Sequence, residues 1–222
     1  MKPIIMFGAD EMAHVAHFYL THDSDYEVAA FTVDSAYLSN TEFCGLPVVP
    51  FEKVETLYPP EAFDMFVAMG YTKVNVVRAK KCGEAKSKGY QLISYVSSKA
   101  TTWSDLSIGE NCFILEDNTI QPFVKIGNNV TLWSGNHIGH HAEIGNNCFI
   151  TSHVVISGGV KVGDNCFIGV NATVRDHISI EKSCVIAAGA LILEDTQENG
   201  VYLSKANKAE LSKVPSHRLR HL

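Results

Sequence analysis

A branched aliphatic residue recurs at every sixth position through the central part of this chain, from residue 108 to residue 192. An amphipathic helix repeats near 3.6 residues and a strand near 2, so neither element explains a period of six. The pattern is typical of short strands joined by turns in a coil that stacks on itself. We therefore predict a β-solenoid. The repeating residues are Ile108, Ile114, Ile120, Ile126, Leu132, Ile138, Ile144, Ile150, Ile156, Val162, Ile168, Val174, Ile180, Ile186 and Ile192.

A second, longer period gives the size of one coil. Glycine recurs 18 residues apart, and an asparagine follows each of these glycines two residues later. Both residue types tolerate the positive φ of a tight corner, which predicts coils of 18 residues with three faces of six. The pairs are Gly109 and Asn111, Gly127 and Asn129, Gly145 and Asn147, and Gly163 and Asn165.

Four of the six cysteines lie inside this repeat, each two residues before a repeating aliphatic residue. Small side chains are expected there because the interior of the coil is narrow, and Val130 takes the same column one coil above Cys112. Since the cysteines lack metal-ligand spacing, we expect buried, reduced packing thiols and no metal site. The four are Cys112, Cys148, Cys166 and Cys184.

Before residue 98 the pattern changes to apolar runs that alternate with helical segments. Such alternation predicts a small parallel α/β domain of the Rossmann-like type. We expect this domain to cover residues 1–98, and the solenoid with a short C-terminal tail to cover 99–222. The predicted strands are 4–7, 26–33, 64–69 and 90–96; the predicted helices follow Gly8-Ala9-Asp10, cover 75–88, and begin again near Lys208.

Composition and charge exclude two classes of partner. The chain has 222 residues, is 46% hydrophobic and carries a formal charge of −6, so it offers no basic surface for nucleic acid. No apolar run approaches membrane-spanning length, and the first strand begins without a leader pattern. We expect a cytoplasmic protein with neither nucleic-acid binding nor membrane insertion.

The most concentrated chemical feature is the histidine-rich segment 133–145. With Ile138 facing inward, His140 and His141 should fall at the next corner of the coil. One coil further on, the backbone beside them is Gly158-Gly159, which lets a ligand approach closely and leaves N–H groups free. An imidazole base beside an N–H donor is the pair that acyl transfer needs, because the base takes a proton while the N–H stabilises the oxyanion.

Other interpretations stay open at this point. The histidines, including His137 and His153, could be surface polar residues of a purely structural solenoid or, less simply, ligands of a metal ion. In the α/β domain, Gly8-Ala9-Asp10 keeps only the first glycine of the dinucleotide fingerprint. Asp34, at the end of the second strand, could bond a ribose hydroxyl or simply form a turn.

The hexapeptide ladder, the histidine corner, Gly158-Gly159 and the preceding βαβ unit resemble one enzyme family. They look like the bacterial sugar O- and N-acetyltransferases of the sialic acid O-acetyltransferase and bacillosamine N-acetyltransferase type. The resemblance implies that the solenoid is a left-handed parallel β-helix and that three chains form a homotrimer. It also implies that acetyl-CoA lies in the groove between neighbouring helices and that the N-terminal domain holds a nucleotide-linked sugar.

The resemblance also implies roles for particular residues. His140 matches the general base, and the backbone N–H of Gly158 matches the group near the acetyl thioester. The family usually has an acidic residue directly after the base, where this chain has His141, and it often has a Gly-x-Pro-Ala-Lys pattern where this chain has 204–208. The expected catalytic residues are His140 and His141; the acetyl-CoA contacts are Gly158, Gly159 and His153; the nucleotide-sugar contacts are Gly8, Ala9, Asp10, Asp34, Gly70 and Tyr71.

We therefore expect an acetyl-CoA-dependent acetyltransferase that acts on an amino group of a nucleotide-linked sugar in surface polysaccharide or glycan biosynthesis. One alternative is O-acetylation of sialic acid or a related sugar. An alternative of another class is a non-catalytic trimeric scaffold that binds a nucleotide sugar. A homotrimer is also expected from the coil itself, because it has three flat faces and we expect Trp133 and His137 to lie exposed on one of them.

Overall fold

Two architectures follow each other along the chain, and the computed structural model describes them over residues 1–204. The first is a five-stranded sheet in the order β3-β4-β2-β1-β5, parallel except for the β3–β4 hairpin. Its strands are β1 (Ile4–Phe7), β2 (Val28–Val33), β3 (Glu42–Phe43), β4 (Leu46–Pro50) and β5 (Asp64–Val67). Its helices are α1 (Glu11–His22), α2 (Val54–Leu57) and α3 (Val76–Ser87), with 3₁₀ turns at Ser35–Tyr37 and Phe51–Lys53.

Local sequence explains why the first βα unit forms where it does. All four residues of β1 are buried, as expected for a central strand of a parallel sheet. Helix α1 begins after Asp10, whose Oδ1 accepts hydrogen bonds from the backbone N–H groups of Met12 and Ala13 at 3.0 and 3.1 Å. The helix then buries Ala13, Ala16 and Leu20, which share one face.

The second architecture is the solenoid, which consists of two-residue strands at six-residue steps. In chain order they are β6 (Tyr95–Val96), β7 (Ser107–Ile108), β8 (Phe113–Ile114), β9 (Thr119–Ile120), β10 (Lys125–Ile126), β11 (Thr131–Leu132), β12 (His137–Ile138), β13 (Glu143–Ile144), β14 (Phe149–Ile150), β15 (Val155–Ile156), β16 (Lys161–Val162), β17 (Phe167–Ile168), β18 (Thr173–Val174), β19 (Ser179–Ile180), β20 (Val185–Ile186), β21 (Leu191–Ile192) and β22 (Val201–Tyr202).

These strands form three parallel sheets, one for each face of the coil. Sheet 1 contains β7, β10, β13, β16 and β19; sheet 2 contains β6, β8, β11, β14, β17, β20 and β22; sheet 3 contains β9, β12, β15, β18 and β21. Paired residues lie 18 positions apart, as in the pairing of Ile126 with Ile144. The predicted coil of 18 residues is therefore confirmed.

The inside of the coil also follows the prediction. The repeating aliphatic residues from Ile114 to Ile192 are buried, and Ile108 is partly buried at the first coil. Cys112, Val130, Cys148, Cys166 and Cys184 are all 0% exposed, which confirms the inward column. Burial raises the pKa of the Cys112 thiol, so that side chain packs as a neutral group.

From β7 to β21, every corner of the coil has one residue with positive φ. The first corner joins sheet 1 to sheet 2, the second joins sheet 2 to sheet 3, and the third joins sheet 3 to sheet 1. Their positive-φ residues, corner by corner, are Asn111, Asn129, Asn147, Asn165 and Ser183; then Asp117, Gly135, His153, Asn171 and Gly189; then Phe123, His141, Gly159 and His177.

The predicted strand at 90–96 is wrong as a single element. Leu92 makes an isolated bridge to Met65 of the first sheet, and only Tyr95–Val96 forms a strand, which pairs with β8 in sheet 2. The chain changes sheets between them because the Ser94 hydroxyl donates to the Gly109 carbonyl and accepts from the Cys112 N–H, both at 2.8 Å. The predicted helix from Lys208 lies outside the described residues.

The N-terminal domain packs against sheet 2, and Arg78 of α3 lies at the centre of the contact. Its guanidinium group is 1% exposed and donates to the Thr131 hydroxyl and to the carbonyl groups of Asn129 and Cys148, at 3.0 to 3.1 Å. Its guanidinium carbon lies 5.3 Å from the centre of the Phe149 ring. Burial lowers the pKa of Arg78 to about 10, which leaves the side chain charged at neutral pH.

Candidate active site

Two of the three histidines in the segment 133–145, His140 and His141, lie at the third corner of the coil. We define the histidine corner as four stacked pairs of residues between sheets 3 and 1. From the lowest coil upward they are Pro122-Phe123, His140-His141, Gly158-Gly159 and Asp176-His177. The pairing of His137 with Val155 gives this register, which is the one predicted from the sequence. In a triangular coil, this corner lies opposite sheet 2 and therefore opposite the N-terminal domain.

His140 is exposed, and its backbone is fixed on both sides. Its N–H donates to the Gln121 side-chain oxygen at 2.8 Å, and its carbonyl accepts from the Gly159 N–H at 2.9 Å. Its imidazole ring lies against the coil above: a Cβ atom on Gly158 would be 2.7 Å from the ring Cε1 and 2.8 Å from Nε2. Only glycine at position 158 leaves room for this ring.

The two backbone polar groups of Gly158 differ in their pairing. Its carbonyl accepts from the His177 N–H at 3.0 Å, whereas no acceptor within residues 1–204 takes its own N–H. Gly158, which is partly exposed and lies against the His140 ring, therefore has an N–H without an acceptor in the described structure. This is the donor and base arrangement that can stabilise an oxyanion and accept a proton at one point.

His141 contacts His140 directly. The two ring Nδ1 atoms are 3.2 Å apart, and the two ring planes are nearly perpendicular, at 85°. The His141 ring also packs on Phe123 of the coil below, with 4.7 Å between ring centres. The sequence did not indicate which group orients His140. In the structure, the side chain that contacts its Nδ1 is His141.

Two further members of the corner were missed by sequence reasoning. The His177 ring packs against Gly159, because a Cβ atom on that glycine would be 2.4 Å from the ring Nδ1. Asp176 precedes it and is exposed. The period of 18 could have found both, because residues 176 and 177 stand one coil above 158 and 159.

His153 and Trp133 do not lie at the histidine corner. The His153 ring lies over Gly135 at the second corner, where a Cβ atom would be 2.5 Å from its Nδ1. Trp133 follows β11 in sheet 2 and packs against the core of the N-terminal domain, whereas His137 faces outward from sheet 3. The expectation that Trp133 and His137 share one exposed face is therefore wrong, because the corner at 135 lies between them.

A second candidate site is a cavity in the N-terminal domain. It lies at the carboxyl ends of β1 and β2, beside the segment that follows β5. Its volume is about 490 Å³. Of the residues predicted to hold a nucleotide sugar, Gly8, Ala9, Asp10 and Asp34 line it. Crevices at this end of an open parallel sheet are the usual ligand sites of such folds.

The cavity has one cationic side chain, Lys81 of α3, which sequence reasoning also missed. Its Nζ lies 2.7 Å from Asp34 Oδ1, contacts Glu84 as well, and faces the rings of Phe7 and Phe51 at 4.9 and 4.6 Å. The ion pairs with Asp34 and Glu84 raise the pKa of Lys81 against the opposing effect of its burial.

Gly70 and Tyr71, also predicted as nucleotide-sugar contacts, do not line this cavity. Met69 and Thr72 form its wall on that side. The Tyr71 ring instead lies between the two domains, 5.0 Å from the Phe149 ring and 4.6 Å from the Phe167 ring. It packs there because these two phenylalanines stack on the outer face of sheet 2.

Residues 1–204 contain no group of three or more His, Cys, Asp or Glu side chains arranged to hold a metal ion. Among the helices in the same range, none is long and apolar enough to cross a bilayer.

Family models match the solenoid. Residues 105–139 and 125–158 match the bacterial transferase hexapeptide, a model of six repeats, and residues 159–194 match the hexapeptide repeat of succinyl-transferase. The solenoid is a hexapeptide-repeat domain. No match was found among curated protein sequences.

Solved structures extend the likeness to the N-terminal domain. PerB from Caulobacter crescentus, in complex with CoA and GDP-perosamine, is 22% identical and has a TM-score of 0.81, with 90% of this chain and 93% of PerB covered. The acetyltransferase domain of PglB from Neisseria gonorrhoeae FA1090 is 20% identical with a TM-score of 0.78, with 90% and 96% covered. The same domain in complex with acetyl coenzyme A has a TM-score of 0.75 at 20% identity, with 87% and 92% covered.

These likenesses confirm the predicted fold. A Rossmann-like α/β domain precedes a left-handed parallel β-helix that is built from hexapeptide repeats. The assignment of individual residues to acetyl-CoA or to a sugar stays a prediction.

Proposed function

We propose that this protein is an acetyl-CoA-dependent acetyltransferase that acts on an amino group of a nucleotide-linked sugar. The observation that carries the proposal is the contact between the His140 ring and Gly158, which puts a base beside a free backbone N–H. The complexes of PerB with CoA and GDP-perosamine, and of the PglB domain with acetyl coenzyme A, support this choice of substrates. Gly158 lies one coil above His140, where a larger residue would displace the ring.

The proposed reaction moves one proton through His140. Nε2 accepts the proton that the acceptor amine loses as its nitrogen bonds to the carbonyl carbon of the thioester. The Gly158 N–H donates to the carbonyl oxygen while that oxygen carries negative charge. When the carbon–sulfur bond breaks, His140 returns the proton to the sulfur. The products are the N-acetyl sugar and free CoA thiol.

Sugar binding is assigned to the cavity of the N-terminal domain and acetyl transfer to the region 99–222. Asp34 and the exposed Tyr37 at the cavity wall offer a carboxylate for ribose hydroxyls and an aromatic surface for a base. Asp10 already caps α1, so the first turn of that helix has fewer free N–H groups for phosphate than an uncapped helix. Lys81 is the cation available at this cavity.

The two sites lie on opposite sides of the β-helix in one chain, which favours a homotrimer. The cavity lies on the sheet 2 side, and the histidine corner lies at the edge between sheets 3 and 1. A neighbouring chain packed on sheet 3 can bring its own cavity and this corner together. The outer face of sheet 3 carries the exposed apolar residues Val155 and Leu191, whereas sheet 1 carries the exposed ion pair of Lys125 and Glu143.

O-acetylation of sialic acid or a related sugar is the second candidate, because the same base can take a proton from a hydroxyl group. A cytoplasmic location belongs to the same proposal, and the free thiol state of all six cysteines supports it.

The test is release of free thiol from acetyl-CoA with GDP-perosamine, other nucleotide-linked amino sugars and free sialic acid as acceptor probes. We expect release with an amino nucleotide sugar, and identification of the product as an amide by mass spectrometry. Release only with sialic acid would support the O-acetyl alternative, and binding without release in every case would support the scaffold. Light scattering should give about three times 24.3 kDa; a stable monomer would separate the two sites and contradict the proposal.

A further inference from the structure

The contact between His140 and His141 has a consequence for the proton on each ring. Two ring nitrogens 3.2 Å apart form a hydrogen bond only when one carries the proton and the other offers its lone pair. Because both atoms are Nδ1, the bond decides which tautomer each neutral histidine adopts. Two arrangements are therefore possible. Either His140 Nδ1 carries the proton and donates to His141 Nδ1, or His141 Nδ1 carries it and donates to His140 Nδ1.

Only one arrangement suits proton transfer beside Gly158. If His140 Nδ1 donates, its Nε2 keeps a lone pair, and Nε2 is the ring nitrogen that lies 2.8 Å from the position of a Cβ atom on Gly158. If His141 donates instead, a neutral His140 carries its proton on Nε2 and cannot accept another there. We propose that His141 is a positioning residue that holds His140 in the Nδ1-protonated tautomer by accepting its hydrogen bond.

The surroundings of His141 fix its ring for this task. Its backbone has φ of +59°, and its N–H donates to the Pro122 carbonyl at 3.3 Å. Its ring rests on Phe123, and the backbone of Gly159 occupies the same position one coil above. The ring is therefore supported from below by Phe123, with Nδ1 toward His140.

His141 thus does without charge what a carboxylate does in a catalytic triad. An acidic partner orients its histidine and also stabilises the imidazolium that forms during the reaction. A neutral imidazole orients the ring through one hydrogen bond and lends less electrostatic support. When Nε2 takes the proton from the acceptor, His140 keeps its Nδ1 proton and its bond to His141, so no other proton has to move.

Residues at other corners of the coil show which replacements of His141 fit its backbone conformation. His141→Phe keeps an aromatic ring and removes the acceptor, and Phe123 shows that phenylalanine adopts the same backbone conformation in this column, with φ of +68°. His141→Asp puts Oδ1 where Nδ1 stands and can only accept, and Asp117 has φ of +58° at another corner. Both replacements therefore suit the backbone of the corner.

The first readout is the tautomer of His140, which needs no acceptor sugar. Solid-state NMR of protein labelled with ¹⁵N-histidine, with the His140 signals identified by their loss in His140→Ala, should show a protonated Nδ1 and a bare Nε2 at pH 8. His141→Asp should keep this state, and His141→Phe should lose it in part. An unprotonated Nδ1 on His140 in the unaltered protein would overturn the proposal.

The second readout is turnover, and it rests on the proposed function. With acetyl-CoA and GDP-perosamine, His141→Phe should lower kcat by about 10- to 100-fold with little change in KM for acetyl-CoA, as for groups that orient another ligand or base. His141→Asp should restore most of the activity. Unchanged kcat in His141→Phe beside an inactive His140→Ala would refute the role of His141 alone. Absence of thiol release by the unaltered protein would refute the proposed function and leave the NMR result to decide the tautomer.

Discussion

Two corners of the same β-helix have nearly the same backbone and very different side chains. At the first corner, φ lies between +53° and +58° for Asn111, Asn129, Asn147, Asn165 and Ser183. At the histidine corner, φ lies between +56° and +70° for Phe123, His141, Gly159 and His177. The backbone conformation of a corner therefore does not dictate one residue type, and the side chains reflect what each corner contacts.

The first corner is a uniform ladder that faces the N-terminal domain. Asn111 donates to Asn129, and Asn129 donates to Asn147, each at 2.9 Å. Asn111 also exchanges hydrogen bonds with the backbone of Val67 in β5. The histidine corner lies on the opposite edge and changes residue type at every coil. Of these two corners, the one with repeated asparagines supports the fold, and the one with varied residues carries the candidate site.

The largest effect should come from His140→Ala at the non-uniform corner. Loss of a general base costs about 10² to 10⁴ in rate, so kcat should fall by at least two decades while KM for acetyl-CoA changes little. His141→Ala should cost less than His140→Ala, since it removes an orienting contact and not the base. Steady-state thiol release measures both.

The two histidine variants also test the register. The reverse order of effects would make His141 the base. If neither variant changes kcat, catalysis rests on positioning of the two substrates alone. The varied residues of the histidine corner would then have no role in the reaction.

The period of 18 explains why this corner could be predicted from sequence. In a solenoid, the residue one period away is the spatial neighbour, so Gly158 could be placed beside His140 without a structure. The four buried cysteines followed from the same rule. Trp133 was misplaced because it lies two residues before the turn at Gly135, where one step decides whether a side chain belongs to sheet 2 or to sheet 3.

The N-terminal cavity could be predicted only in part. Gly8 and Asp34 follow predicted strands, and parallel strands end at one edge of a sheet. Lys81 lies 47 residues after Asp34, and nothing in the sequence near it indicates that α3 turns this side chain inward. The strand expected at 90–96 failed for a similar reason, because its apolar residues are divided between two sheets.

A smaller effect, on stability, should come from the uniform corner. Asn129→Ala removes one buried and one partly buried side-chain hydrogen bond and places alanine at φ of +57°, so the free energy of unfolding should fall by about 2 to 3 kcal/mol. Asn128→Ala is the matched control, because Asn128 is exposed and its hydrogen bonds compete with water; it should cost under about 1 kcal/mol. Denaturant unfolding at equal protein concentration compares them. Equal losses would mean that the ladder contributes no more than an exposed amide.

The smallest effect should come from Gly158→Ala, which alters the histidine corner without removing any functional group. The added Cβ atom would lie under 3 Å from the His140 ring, so the ring must swing away from the Gly158 N–H. We expect kcat to fall at least tenfold, because about 1.4 kcal/mol of lost transition-state stabilisation suffices for that, while the stability changes little. Gly83→Ala is the control, since Gly83 lies on the exposed side of α3 and its added Cβ would have no atom within 4 Å apart from the helix's own backbone. In the His140→Ala background, Gly158→Ala should cause little further loss of activity if it acts through the ring. A full tenfold loss in that background would mean that the methyl group obstructs the thioester itself, and the glycine would then serve the ligand and not the base.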